Sequence, residues 1–355
     1  MAAATLLLGG TAIIVDHWPR PAATLDAAAQ ARYVAARDDV AMRAAPRLRA
    51  AIGTLSALVR DHPRNGGVQA SLAEAWLLAR EFGSAPDTLA FSHAQAAAAA
   101  ARSVDPDSAV ADRVDGVIAY WHDGDPSRAG QLFRRAIGHA PNDALAHLWY
   151  ANILADNGED AAAAREFEAA RMLAPGAPWL LADYGWGLWA AGRTAESEAL
   201  LQTLAAHYPD LASVQDCLSV TALARGDLPG YARHLAARAQ ARAEGELDAY
   251  SDALGRTLAN DQRAGHGFAA THAVMLSRAV AFTQNTERPD HSWPAFVAAM
   301  IGDRPALLAM LDEARARGEH WGAAGFVRRI RARFAGDTRV IKALDSLAQE
   351  RIEPA

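Results

Sequence analysis

The stretch Pro141–Pro175, PNDALAHLWYANILADNGEDAAAAREFEAARMLAP, decides the fold. Proline closes it at both ends and recurs at Pro106 and Pro209, so that successive intervals are 35, 34 and 34 residues. A period of this length belongs to a helix–turn–helix unit that cannot bury its apolar face alone and therefore stacks on copies of itself. Other markers keep step with the prolines. A small residue falls ten positions after each one (Gly116, Ala151, Gly185, Ser219), where the two helices of a unit must approach closely. A turn glycine follows at Gly158, Gly192 and Gly226, and Asp123-Gly124-Asp125 holds that place in the first of the four units. A bulky residue (Phe133, Phe167, Leu201, Leu235) then faces the neighbouring unit.

Outward from this block the pattern continues with less regularity. Helices are expected at about 25–44 and from Pro46 to near His62, and a second pair begins near Gly67. That pair is stretched by a loop around residues 83–87 and closes at Pro106. Beyond residue 243 the markers fade into helices over 246–284, a polar loop at 284–292, a helix pair over 293–317 and two short helices to the end. Atypical terminal units are expected where a repeat array must be capped. The division is therefore 1–21, an apolar segment and proline linker; 22–243, about six repeats with the first two divergent; and 244–355, a helical C-terminal region with a further helix pair.

Composition agrees with an all-helical chain. About a quarter of the residues are alanine, the best helix former, and hairpin signals are sparse. The formal net charge of −6 opposes a nucleic-acid surface, which needs a basic stripe to displace counterions. Lys342 is the only lysine, which leaves no residue for a phosphate-binding loop or a Schiff base elsewhere. Cys217 is the single cysteine and excludes an intrachain disulfide; it is expected as a small core residue. The histidines show no metal-ligand spacing and are expected at exposed or edge positions. Paired carboxylates such as Glu166/Glu168 and Glu196/Glu198 are expected on solvated faces, and no nucleophile elbow or glycine-rich loop appears. The chain is read as a non-enzyme with no cofactor and no metal. Arg328, Arg329, Arg331, Arg333 and Arg339 are expected as a solvated helix face.

The period and its markers are those of the tetratricopeptide repeat, a resemblance that implies an all-α, right-handed α-solenoid with a helical C-terminal cap. The runs LAEAWLLAREFG, AFSHAQAAAAAARSVDPDSA, FRRAIGHAPNDALAHLWYANILADNGEDAAAAREFEAARMLAPG and HSWPAFVAAMIGDRPALLAMLDEA also resemble one lineage. It is the C-terminal sensor half of membrane-anchored winged-helix transcriptional regulators of the CadC/ToxR type. There, a cytoplasmic DNA-binding domain is joined through one membrane helix to a periplasmic repeat region. The winged-helix part has no counterpart in these residues, so DNA binding is carried over to none of them. The segment Ala2–Val15, uncharged and apolar before Asp16-His17-Trp18-Pro19, is expected to be the outer part of a membrane anchor whose start lies upstream. The repeats are then extracytoplasmic. The alternative is a soluble cytoplasmic scaffold that assembles an enzyme complex, with this segment packed as a cap.

In such a repeat the first helix of each unit lines the concave groove. Counting from the closing prolines places Arg113, Tyr120 and Trp121 there, then Asn152 and Asp156, then Trp179, Trp186 and Trp189, and finally Asp216. Tryptophan and arginine most often dominate binding energy. These residues are the expected binding set for a protein or peptide segment, with signal transduction and transcription regulation implied by the resemblance alone.

Overall fold

The computed structural model describes residues 24–82, 85–265, 267–284 and 290–348. The segment 2–15 and the linker at 19–21 lie outside them, as do residues 83–84 of the first loop and 285–289 of the second. Among the described residues there are eighteen α-helices and no strand; the nearest approach to a sheet is one isolated bridge between Trp321 and Ala348. The helices form consecutive pairs: α1 (Ala27–Ala41) with α2 (Ala45–Asp61), α3 (Gly66–Glu81) with α4 (Asp87–Val104), and α5 (Ala109–Ile118) with α6 (Pro126–His139). Next come α7 (Ala144–Asp156) with α8 (Asp160–Leu173), α9 (Pro178–Ala190) with α10 (Thr194–His207), and α11 (Ala212–Ala224) with α12 (Leu228–Arg242). Beyond these lie α13 (Gly245–Ala264), α14 (Ala269–Gln284), α15 (Ser292–Ile301), α16 (Arg304–Ala316), α17 (Ala324–Arg333) and α18 (Thr338–Ser346).

Local chemistry sets the helix ends. Asp125, Asp143, Asp227 and Asp303 cap α6, α7, α12 and α16 by accepting backbone N–H groups of the first turn. Proline sits in the first turn of α2, α6, α9, α12 and α16, where no N–H is needed. The turns inside four successive pairs close on Gly124, Gly158, Gly192 and Gly226, all with left-handed φ between 68° and 86°, a region an L side chain rarely enters.

The interval of 35 residues between Pro106 and Pro141, one longer than its successors, has a structural counterpart. Residues Ala119–Asp123 form a π-helical turn at the end of α5. A π-turn accommodates one extra residue without breaking the helix. The unit keeps its length in space, and Tyr120 and Trp121 sit on the widened turn.

Pairs are held by small-to-large contacts. A Cβ on Gly116 would stand 2.7 Å from the Phe133 ring, and one on Gly185 would stand 2.8 Å from Leu201. Phe133 also stacks on Tyr150 of the next pair, at 5.8 Å between ring centroids, and Phe167 meets Tyr184 edge-on at 5.6 Å. The bulky residue thus bridges its own pair and the following one.

A polar device repeats too. Six residues after the proline, the side chains of Gln69, His147 and Gln215 bond the carbonyls of Pro63, Pro141 and Pro209. On the other side His147 Nδ1 lies 2.6 Å from Glu166, and Gln215 Oε1 lies 2.8 Å from His234. His147 is therefore buried rather than at an edge, and Glu166 is bonded rather than simply solvated.

Candidate binding cavity

The first helices of successive pairs stand side by side, α7 on α9 and α9 on α11, and form the inner wall of the array. The C-terminal helices return to this wall. Helix α17 packs on α7 and α9, and α15 packs on α11. At the closest approach a Cβ on Gly325 would lie 2.7 Å from the Trp189 ring, so α17 seats flush on that tryptophan. Arg329 stacks over the same ring at 3.6 Å and donates to the Trp189 carbonyl at 2.6 Å. Arg328 reaches Asp160 at 2.8 Å. Of the arginines expected on a solvated face, Arg329 is instead turned inward because its helix has an aromatic wall to cover, while Arg328 pairs with Asp160 at the partly exposed rim. Arg331 pairs with Asp345 and Arg339 with Asp312 on the outer side.

Closure leaves a cavity of about 930 Å³ bounded by α9, α11, α12 and α13, by the α3–α4 junction and by α15 and α17. Of the residues expected in the groove, Trp186 and Asp216 line it. Trp186 stacks on Trp189 at 4.8 Å, but Trp189 itself is covered by Phe296, Phe326 and Arg329 and is only 1% exposed. Trp179 lies on the same side of α9 in a smaller recess, beneath Arg43 from the α1–α2 turn at 3.7 Å.

The remaining expected residues are joined to one another or to neighbours. Arg113 is buried between Glu74, at 2.7 Å, and Asp143, at 3.3 Å, so its charge is spent inside the wall. Burial makes Arg113 and Trp189 parts of the scaffold, a correction to the open groove surface expected for them. Tyr120 donates to Asp156 Oδ2 at 2.8 Å and accepts from Asn157 at 2.9 Å. Asp156 also receives the backbone N–H of Ala323, the residue that leads into α17. Burial pushes the Asp156 carboxyl up to about 6, against these bonds, and raises the Tyr120 phenol well above its ordinary value. Asn152 donates to Asp183 at 3.0 Å. Trp121 remains exposed, edge-on to Tyr120 at 5.0 Å.

Several lining residues lie beyond the expected set. Glu81, Asp183, Ser213, Arg238 and Arg242 face the cavity, as do Tyr250, Trp293 and Phe326. Asp183 had a signal: it is four residues after Trp179 and three before Trp186, on the same helix face. Glu81, Trp293 and Phe326 had none, because their helices reach the site from distant parts of the chain. Cys217 packs against the core of Ala182, Leu201 and Leu218, as expected, and also borders the cavity; burial raises its thiol well above the ordinary range, which keeps it protonated.

Residues 120–171 match the family of the tetratricopeptide repeat. The described residues form an all-α array of paired helices, and this match lies within it. No curated protein matches the sequence. Among solved structures, the type IV pilus biogenesis factor PilW aligns with 90% of this chain and 100% of its own, at 14% identity and a TM-score of 0.31. Yeast Tom70 aligns with 85% of this chain and 62% of its own, at 11% identity and a TM-score of 0.43. A tetratricopeptide repeat protein from Parabacteroides merdae aligns with 91% of this chain and 99% of its own, at 12% identity and a TM-score of 0.35. These likenesses carry nothing about ligand or partner. The match at 120–171 spans the π-turn, Asn152 and Asp156, so the repeat includes part of the wall on which α17 is seated.

Proposed function

We propose that this repeat array is a non-catalytic binding module that receives a protein or peptide segment in the partly open cavity on its inner wall. The cavity carries the reading. Its volume of about 930 Å³ falls in the range of ligand sites, and charged groups and aromatic faces share its lining. Array geometry favours the same role, since a solenoid presents an extended concave surface made from many units. The reading is tested by filling the cavity. Peptides selected from a displayed library on the intact protein should lose at least tenfold in affinity for Ser213→Trp, while Glu168→Gln on the outer face of α8 leaves binding unchanged. Selected peptides that bind the Ser213→Trp protein as well as the parent refute it.

The finer reading is that of a sensor or interaction part of a membrane-anchored transcriptional regulator, with the repeats outside the cytoplasm. It is supported by the resemblance of the repeat runs to that lineage and by the apolar stretch Ala2–Val15 before Trp18 and Pro19. Among the described residues no helix is long and apolar enough to cross a membrane; the apolar stretch lies outside them. Expressed with Ala2–Val15 and the whole of its native reading frame, the protein should remain with membranes through carbonate extraction. Recovery in the soluble fraction removes the anchor from the proposal.

A further inference from the structure

The charges lining the cavity do not balance locally. Arg238 is matched by Asp216 at 2.6 Å and by Glu244 at 3.5 Å. Arg242 meets the same Glu244 at 3.6 Å, and Arg80 meets Asp87 at 3.1 Å. Arg278 lies over the Tyr250 ring at 5.6 Å. Glu81 and Asp183 differ from the other lining carboxylates. Neither is in an ion pair among the described residues, and the one hydrogen bond Asp183 receives comes from the neutral amide of Asn152. Arg43, stacked on Trp179, attracts both without pairing with either, and Arg242 and Arg80 attract Glu81 from beyond ion-pair distance. The two carboxylates retain some accessible surface toward the cavity, yet protein surrounds them. Burial raises both, and the charge of Glu81 helps lift Asp183 to about 7.

Beside them stand aromatic faces. Trp186, Trp293 and Phe326 line the same cavity, with Trp293 and Phe326 at 5.7 Å and Trp186 edge-on to Phe326 at 5.9 Å. The Ser213 hydroxyl oxygen is fully shielded there and has no partner in the protein. Carboxylates outside any ion pair and next to indole faces suit an organic cation, through charge-assisted hydrogen bonds at one end and the ring quadrupole along its flank. Among the described residues no group of three or more His, Cys, Asp or Glu could hold a metal ion, which directs the site to an organic guest.

We infer that the cavity binds a protonated nitrogen group, a guanidinium or primary ammonium, between Glu81 and Asp183 and against Trp186 and Trp293. The inference rests on the binding-module reading and names the chemistry of what enters. The cation comes from a basic side chain of a bound peptide or from a free polyamine.

Calorimetric titration of the full chain at neutral pH separates these sources. The probes are a capped heptapeptide with one central arginine between phenylalanines, the same peptide with citrulline in place of arginine, and spermidine. The arginine peptide is expected to bind at least tenfold tighter than the citrulline peptide. Glu81→Gln and Asp183→Asn should each remove most of that difference, and Glu168→Gln should leave it intact. Circular dichroism confirms that the variants are folded, and two separate carboxylate variants guard against loss of either one. Tight binding of spermidine alone, sensitive to Glu81→Gln and Asp183→Asn, upholds the cation site and assigns it to free amines. Equal binding of the arginine and citrulline peptides overturns the cation inference while leaving the peptide reading standing. Failure of all three probes at millimolar concentration, or binding indifferent to both carboxylate substitutions, also overturns it.

Discussion

Adding one methyl group at Gly116 tests the packing rule of the repeat. Gly116 lies inside α5, where alanine in its place should stabilise a free helix by about 0.5–1 kcal/mol through lower backbone entropy in the unfolded chain. Packing opposes this. The added Cβ would meet three atoms of the Phe133 ring at 2.7, 2.9 and 3.2 Å, inside ordinary van der Waals contact. The ring cannot yield freely, because it is fully buried and stacked on Tyr150 at 5.8 Å. Overpacking of this kind costs about 1–3 kcal/mol, so the net effect should be a loss of up to about 2.5 kcal/mol. Amide hydrogen exchange in α5 and α6 reads this locally, as an array of repeats requires. A double-mutant cycle with Phe133→Leu identifies the cause: with the ring gone, Gly116→Ala should become neutral or stabilising by up to about 1 kcal/mol. An increase in protection for Gly116→Ala with Phe133 in place would refute the close-approach argument.

Three further outcomes follow from the geometry. Glu166 raises the His147 imidazole above its ordinary 6.5, so the pair's contribution is full below that value and fades as pH rises through the folded-state pKa; Glu166→Gln should lower the melting temperature at pH 5.5 and change it little at pH 8.5. Asp183 follows the same direction over a lower interval: with its carboxyl raised to about 7 from 3.8, ionisation costs stability as pH climbs through that range. Asp183→Asn should therefore raise the melting temperature at pH 8 and leave it nearly unchanged at pH 4. Arg329→Ala removes the stack on Trp189 and the bond to its carbonyl, for a loss of about 1–3 kcal/mol in urea denaturation, with a change in tryptophan emission from the folded state.

The repeat itself was legible because its constraints are local and periodic. Glycine at 158, 192 and 226 is demanded by left-handed turns, and Gly116 and Gly185 by the large side chain across the pair. Even the irregular interval of 35 carried information, since the π-turn at Ala119–Asp123 accounts for its extra residue. The cavity was only half legible. Trp186 and Asp216 could be placed by counting from the closing prolines, and Asp183 shared the helix face of Trp186. The covering of Trp189 could not, because a period specifies how neighbours stack and says nothing of which distant helix returns. The arginines of α17 look like any charged helix until Trp189 and Asp160 are seen beneath them. His147 was misjudged for a related reason: its partner Glu166 sits nineteen residues away, on the second helix of the same pair.

The seating of α17 also fixes an order of events at the ribosome. Most contacts in the array join neighbours and can form as each pair emerges. The bond from Arg329 to Trp189 spans 140 residues, and that from Arg328 to Asp160 spans 168. Until those arginines have been synthesised, the nascent array displays an open aromatic strip on its inner wall, available to chaperones and to other unfinished chains. Translation must run almost to the last helix before that strip is covered, so a ribosome stalling after α12 would release a stack of paired helices whose Trp186 and Trp189 remain bare.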